Sequence, residues 1–187
     1  MKNPNINAID ALLPQTQCRL CGYNGCRPYA TAIVENNESI DRCPPGGVET
    51  LKKLAAATNQ DAQPFIKSME QKQLPPLAAV IREAECIGCV KCLAVCPTDA
   101  IIGASKQMHT VVADDCTGCQ LCVPACPVDC IDIIEVTKQN KADSWRERYE
   151  KHQARLAREK IAENNEIAPL EERKKRIAEI LARTRKK

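Results

Sequence analysis

Twelve of the thirteen cysteines in this chain stand at spacings suited to holding metal, and one run repeats itself. Cys86, Cys89, Cys92 and Cys96, followed by Pro97, read C-x2-C-x2-C-x3-C-P. The run returns at Cys116, Cys119, Cys122, Cys126 and Pro127. Four thiolates in one short run, closed by proline and then repeated, suit [4Fe–4S] cubanes. Zinc also takes four cysteines, often as two C-x2-C pairs, and is the weaker alternative for this pattern. The chemistry on offer is electron transfer.

Three cysteines of a C-x2-C-x2-C loop can wrap three irons. The fourth follows after three residues, enters a short helix and points away. In two-cluster ferredoxins, which carry this run, that fourth cysteine ligates the other cluster. The expected sets are Cys86, Cys89, Cys92 with Cys126, and Cys116, Cys119, Cys122 with Cys96. An earlier quartet, Cys18, Cys21, Cys26 and Cys43, reads C-x2-C-x4-C-x16-C. Its spacing alone fits either a cluster or zinc. Gly22 and Gly25 allow a tight loop there, with N–H groups aimed at sulfur. Cys130 aligns with Ala100 in the repeat, so it reads as a small buried residue and not a ligand. His109 and His152 read as solvated or partly packed side chains. No nucleophile set, phosphate loop or dinucleotide fingerprint stands in the sequence. The expectation is an electron carrier with no catalytic site of its own and no small-molecule substrate.

The elements that position these cysteines must be small. The chain of 187 residues has one Phe, one Trp and three Tyr, too few for a large conventional core. Twelve prolines and thirteen cysteines point to modules stapled by metal or disulfides. The start at Met1 shows no apolar signal region, and no run approaches the roughly 18 apolar residues of a membrane span. A cytoplasmic location is expected, where close cysteine pairs bind metal. Net charge is +3, unevenly placed. Residues 138–187 hold 16 Lys and Arg against 9 Asp and Glu; residues 1–137 hold 11 against 15.

The expected class is α+β. Residues 1–58 form a small helical four-cysteine domain, with helices over 3–13, 28–36 and 48–57. Residues 59–76, polar and holding Pro64, Pro75 and Pro76, read as a linker. Residues 77–136 form the tandem ferredoxin-type module, a βαβ pseudo-twofold of repeats 77–106 and 107–136. Strands are expected at 77–81, 110–113 and 131–136. Offsets of thirty residues also relate Gly88 to Gly118, Asp99 to Asp129 and Ile101 to Ile131. Residues 137–187 form a basic helical tail, broken at Asn164 and Asn165 and restarting after Pro169, with Arg183, Arg185, Lys186 and Lys187 at the negative end of the last helix dipole.

Several strings together resemble the B subunit of Rnf/Rsx-type electron-transport complexes, from about Ile9 to about Val136. They are the stretch from Leu13 to Cys18, that from Cys21 to Ala30, Arg42 to Gly47, both ferredoxin runs, and Gly103 to Thr110. The resemblance implies that Cys18, Cys21, Cys26 and Cys43 hold a [4Fe–4S] cluster, making three in all. It implies a relay subunit of a membrane-bound complex that couples electron transfer between ferredoxin and NAD to ion translocation. Family members commonly begin with an apolar transmembrane helix, which this sequence does not show.

Three functions are therefore weighed. The first is an electron relay docked on the other subunits of an Rnf/Rsx-like complex. The second is a soluble polyferredoxin serving another reductase or redox regulator. The third is a metal-stabilised binding module, disfavoured by the twin ferredoxin runs. The tail reads either as a solvated helical pair or as a peripheral contact to acidic lipid or a partner on the cytoplasmic face of the inner membrane. Nucleic acid is the weaker partner, because the tail's basic charges are mixed with acids and carry few aromatics.

Overall fold

Asn5 opens the first helix by accepting a hydrogen bond from the Asn7 N–H at 2.9 Å, and α1 runs Ile6–Leu12. The structure, a computed structural model, describes residues 5–137 and 141–184. Helices α2 (Cys26–Asn36) and α3 (Gly47–Thr58) each end in a left-handed asparagine, Asn37 and Asn59, a residue that tolerates this cap. Their apolar faces meet that of α1. Ile9, Leu13, Tyr29, Ile33, Leu51 and Leu54 are buried in one core, each stabilising it by about 1.5–3 kcal/mol.

Residues 59–76 are not the expected linker. Gln63–Lys72 form α4, and Met69 is buried in the same core, with Ala62, Phe65 and Ile66 packed against it. These four stand at i, i+3, i+4 and i+7, an apolar helical stripe that the polar residues between them conceal. Pro64 lies in the first turn, where a missing N–H costs nothing.

The repeat follows. Strand β1 (Leu77–Ile81) leads through a 3-10 turn to the first cysteine run, short helix α5 (Lys91–Val95) and β2 (Ile101–Ile102). The second copy supplies β3 (Thr110–Val111) and β4 (Ile131–Glu135). Residues 121–125 make turns where the first copy has α5; Pro124, with no N–H to donate, replaces Ala94. Pairing crosses between copies. β1 is antiparallel to β4, with Leu77 opposite Glu135 and Ile81 opposite Ile131. β2 is antiparallel to β3, with Ile101 opposite Val111.

The cysteine loops are seated the same way, each on the other copy's leading segment. Gly118 has φ +68°, and a Cβ there meets the Leu77 carbonyl oxygen at 2.2 Å. Gly88 has φ +66°, and its Cβ meets the Gln107 nitrogen at 2.5 Å. Leu77 and Gln107 are themselves thirty residues apart. Only glycine fits such a left-handed close approach.

Helix α6 (Ala142–Thr184) is continuous, which corrects the break expected at Asn164 and Asn165. Strong helix formers on both sides outweigh the small penalty of two asparagines, and Pro169 lies within the helix without an N–H to contribute. Arg185, Lys186 and Lys187 lie outside the described residues. Residues up to Tyr149, including the first two turns of α6, gather in one unit; Glu150–Lys187 make a second. Among the described residues no helix is long and apolar enough to cross a membrane.

Candidate metal centres

Each expected quartet lines one cavity. Cys18, Cys21, Cys26 and Cys43 share a space closed by Leu13 and Tyr29. Cys86, Cys89 and Cys92 meet Cys126 of the other repeat around a second. Cys116, Cys119 and Cys122 meet Cys96 around a third. A single zinc holds its four sulfurs about 2.3 Å from one point. Among the described residues no three Cys, His, Asp or Glu side chains converge closely enough to hold one ion. The thiols surround a volume, and soft sulfur donors around a volume fit an iron–sulfur cluster.

Local backbone turns N–H groups onto these sulfurs. The Ala100 N–H donates to Cys96 Sγ at 3.2 Å, and the Cys130 N–H to Cys126 Sγ at 3.4 Å. These are repeat equivalents, placed by the left-handed Asp99 and Asp129. A second pair crosses the copies. The Ala79 N–H donates to Cys116 Sγ at 3.4 Å, and the His109 N–H to Cys86 Sγ at 3.3 Å. Such donors stabilise the negative charge that thiolates and clusters carry.

Burial works against ionisation. It pushes the Cys43 and Cys122 thiols up to about 12 and the Cys119 thiol up to about 11. It also raises Cys21, Cys26 and Cys92. Metal must displace protons from these sulfurs on binding. Cys126 goes the other way. Burial opposes its ionisation, but N–H groups of Cys130 and Val128 and the Cys130 thiol outweigh burial and lower its pKa. Cys130 is buried, pushed up to about 12 first by desolvation and then by Cys126, and lies 3.5 Å from that sulfur.

Several residues of the site escape spacing rules. His109, expected to be solvated or partly packed, is buried, with Nδ1 3.4 Å from Cys92 Sγ and 3.6 Å from Cys86 Sγ. The missed signal is the repeat, which aligns His109 with Ala79. His152 stands on α6, its Nδ1 3.1 Å from Arg155 Nη2. Gln17 is buried, and its Oε1 accepts from the Cys26 N–H at 2.9 Å while its Nε2 donates to Gln15 Oε1 at 2.9 Å. Gln15 in turn donates to the Asp10 carbonyl at 2.6 Å. Arg146 of α6 closes this chain on Asp10 Oδ2 at 3.0 Å. Two residues on, Arg148 pairs with Asp115 at 2.5 Å, beside the second cysteine run. Thr117, between Cys116 and Cys119, reaches Thr16 through its hydroxyl.

Residues 79–133 match the family model of a 4Fe-4S dicluster domain, and residues 13–45 that of a putative Fe-S cluster. The chain is 56% identical over 144 residues to the B subunit of the ion-translocating oxidoreductase complex of Shewanella oneidensis, covering 77% of this chain and 73% of that protein. It is 57% identical to the corresponding B subunit of Shewanella loihica over 143 residues, 76% of this chain and 74% of that protein. The B subunit of Stutzerimonas stutzeri is 54% identical over 143 residues, 76% of this chain and 73% of that one.

Proposed function

Because the chain belongs to the family of B subunits of ion-translocating oxidoreductase complexes, we propose that it relays electrons through three [4Fe–4S] clusters within a complex of that kind. Cys18, Cys21, Cys26 and Cys43 hold the first. Cys86, Cys89, Cys92 and Cys126 hold the second. Cys116, Cys119, Cys122 and Cys96 hold the third. The observation that carries this reading is that each full quartet lines one cavity, two of them with a cysteine from the opposite repeat. When bound, a cubane takes up and returns one electron at a time.

The protein's own part is to hold, insulate and order the sites. Apolar side chains such as Leu13, Ile81 and Ile101 wall the cavities against water. The N–H groups of Ala79, Ala100, His109 and Cys130 offset the charge on sulfur. The hydroxyl of Thr117 ties the third quartet's loop to the segment before Cys18, so the third site adjoins the first. The partners are the other subunits of a membrane-bound complex, and the basic part of α6 beyond Tyr149 docks on acidic lipid or on an acidic surface of those subunits.

Anaerobic purification followed by iron, sulfide and electron paramagnetic resonance measurements tests the reading. About twelve irons per chain and cubane signals on reduction are expected. Four irons, or bound zinc in the Cys18 quartet, would overturn the three-cluster assignment. Capture from gently solubilised membranes tests the partners; recovery with soluble redox proteins alone contradicts a membrane complex.

A further inference from the structure

The two halves of the repeat are alike in backbone and unlike in what they present to their cavities. Ala79 corresponds to His109 and Ala100 to Cys130. Ala79 and Ala100 line the cavity of Cys116, Cys119, Cys122 and Cys96. His109 and Cys130 line that of Cys86, Cys89, Cys92 and Cys126. At all four positions the backbone N–H donates to a cysteine sulfur, at 3.2–3.4 Å. The side chains are what differ, and both differences fall on one site.

The imidazole is built in. His109 is buried. A Cβ on Gly103 would lie 1.9 Å from His109 Cδ2, so the loop after β2 leaves space for the ring. The equivalent of Gly103 in the second copy is Ile133. Nδ1 faces two sulfurs, which as thiolate ligands of a cluster can only accept, so that the ring proton belongs on Nδ1 in the loaded protein. Nε2 is buried with no hydrogen-bond partner among the described residues. The fold leaves one polar ring atom unsatisfied while aiming the other at Cys92 and Cys86. Beside it, the Cys130 thiol sits 3.5 Å from Cys126 Sγ. Three of the four sulfurs of this quartet thus face a side-chain donor whose repeat equivalent is alanine, while in the twin the Thr117 hydroxyl reaches the one sulfur of Cys119.

We propose that His109, helped by Cys130, makes the Cys86/Cys89/Cys92/Cys126 site easier to reduce than its repeat twin, so that an electron reaching the twin comes to rest beside His109. The proposal rests on the three-cluster reading above. Reduction adds one negative charge to a site, and hydrogen bonds to its sulfurs stabilise that charge and raise its potential. The step moves a single electron. The twin site is oxidised by one electron, the His109 site is reduced by one, and Nδ1 keeps its proton. His109 acts as a positioning and tuning residue, not as a ligand.

The test is a potentiometric titration of the full-length, cluster-loaded protein followed by electron paramagnetic resonance, with iron counted on each sample. His109→Ala installs the twin's residue. It is expected to lower the potential of one of the two coupled steps so that the reduced-to-oxidised ratio at fixed potential falls about tenfold (59 mV for one electron), with iron unchanged. His109→Asn places an amide N–H where Nδ1 stood and is expected to recover at least half of that shift. Cys130→Ala is expected to move the same step in the same direction, by less. Unchanged potentials in His109→Ala at full iron overturn the proposal, as does an equal shift of both steps. Loss of the cluster in both His109 variants makes the histidine structural and also overturns it. A deficit of iron in the unaltered protein strikes the three-cluster reading instead, and so is distinguishable.

Discussion

Thr117 Oγ1 donates a buried 2.9 Å hydrogen bond to the carbonyl of Thr16, across 101 residues of sequence. One end lies inside the second ferredoxin run and the other just before the first cysteine of the chain. Thr117→Val keeps the shape and removes the donor, leaving the Thr16 carbonyl buried without a partner. A loss of about 1–3 kcal/mol is expected, read as a lower urea midpoint of the cluster-loaded protein at unchanged iron content. An unshifted midpoint means that the contact carries no stability.

The start of α6 joins the body through Arg146 on Asp10 and Arg148 on Asp115. Asp10 is buried, and Asp10→Ala removes the carboxylate that Arg146 and Gln15 share, while Arg146 keeps Asp143 at 2.8 Å and Gln15 keeps the backbone carbonyl of residue 10. A destabilisation of about 1–3 kcal/mol is expected, that of a lost hydrogen bond to a charged group. Ending the chain after Tyr149 retains these contacts, and ending it before Lys141 removes them. The shorter chain should lose thermal stability while the longer one keeps it. In membrane fractionation, the chain ending at Tyr149 should bind less than the full protein if the basic segment docks.

The buried thiols give the cluster-free protein a defined pH dependence. Unfolded, each ionises near the ordinary 9.0, whereas folded Cys43 and Cys122 wait until about 12 and Cys119 until about 11. The unfolded chain therefore releases protons first, and stability present below pH 9 is lost as pH rises through that window. Thermal midpoints of cluster-free protein should fall steadily from about pH 8 to about pH 11. The loaded protein, whose ligands are already thiolates, should lack that particular decline. A flat profile for the cluster-free form contradicts the burial argument.

Cys126 and Cys130 are four residues apart in sequence and in contact in space, yet opposite results are expected from them. Cys126→Ser should remove about a third of the iron, and the deficit should fall on the site of Cys86, Cys89 and Cys92, in the other repeat. Cys130→Ala should leave the iron in place. Equal losses from both make Cys130 a ligand and dissolve the distinction drawn from Ala100.

The grouping of the cysteines was legible because ligand spacing is a local property and the offset of thirty residues shows where the copies answer each other. Strands at β1 and β4 were legible for the same reason, as short apolar runs bounded by turns. The α4 stripe was not, because four apolar residues in a polar segment with a proline look like a linker until Met69 has a core to enter. His109 was opaque as a lone histidine. Its space is left by Gly103 and its contacts come from Cys86 and Cys92 of the opposite copy, none of which lies beside it in any periodic pattern. The roles of Gln15, Gln17 and Arg146 were equally hidden, since a polar chain spanning 136 residues of sequence leaves no local trace. Continuity of α6 through Asn164 and Asn165 reflects propensity summed over many residues, which two weak local signals do not overturn.

The crossed strand pairing sets a timetable for making the protein. As the chain is synthesised, β1 emerges long before β4, the strand it pairs with along its whole length. Cys86, Cys89 and Cys92 are likewise made before Cys126, the fourth thiol of their quartet. Neither half can close while the other is still unmade. Closing of this module is thus a late event in synthesis, waiting on the strand that ends at Glu135.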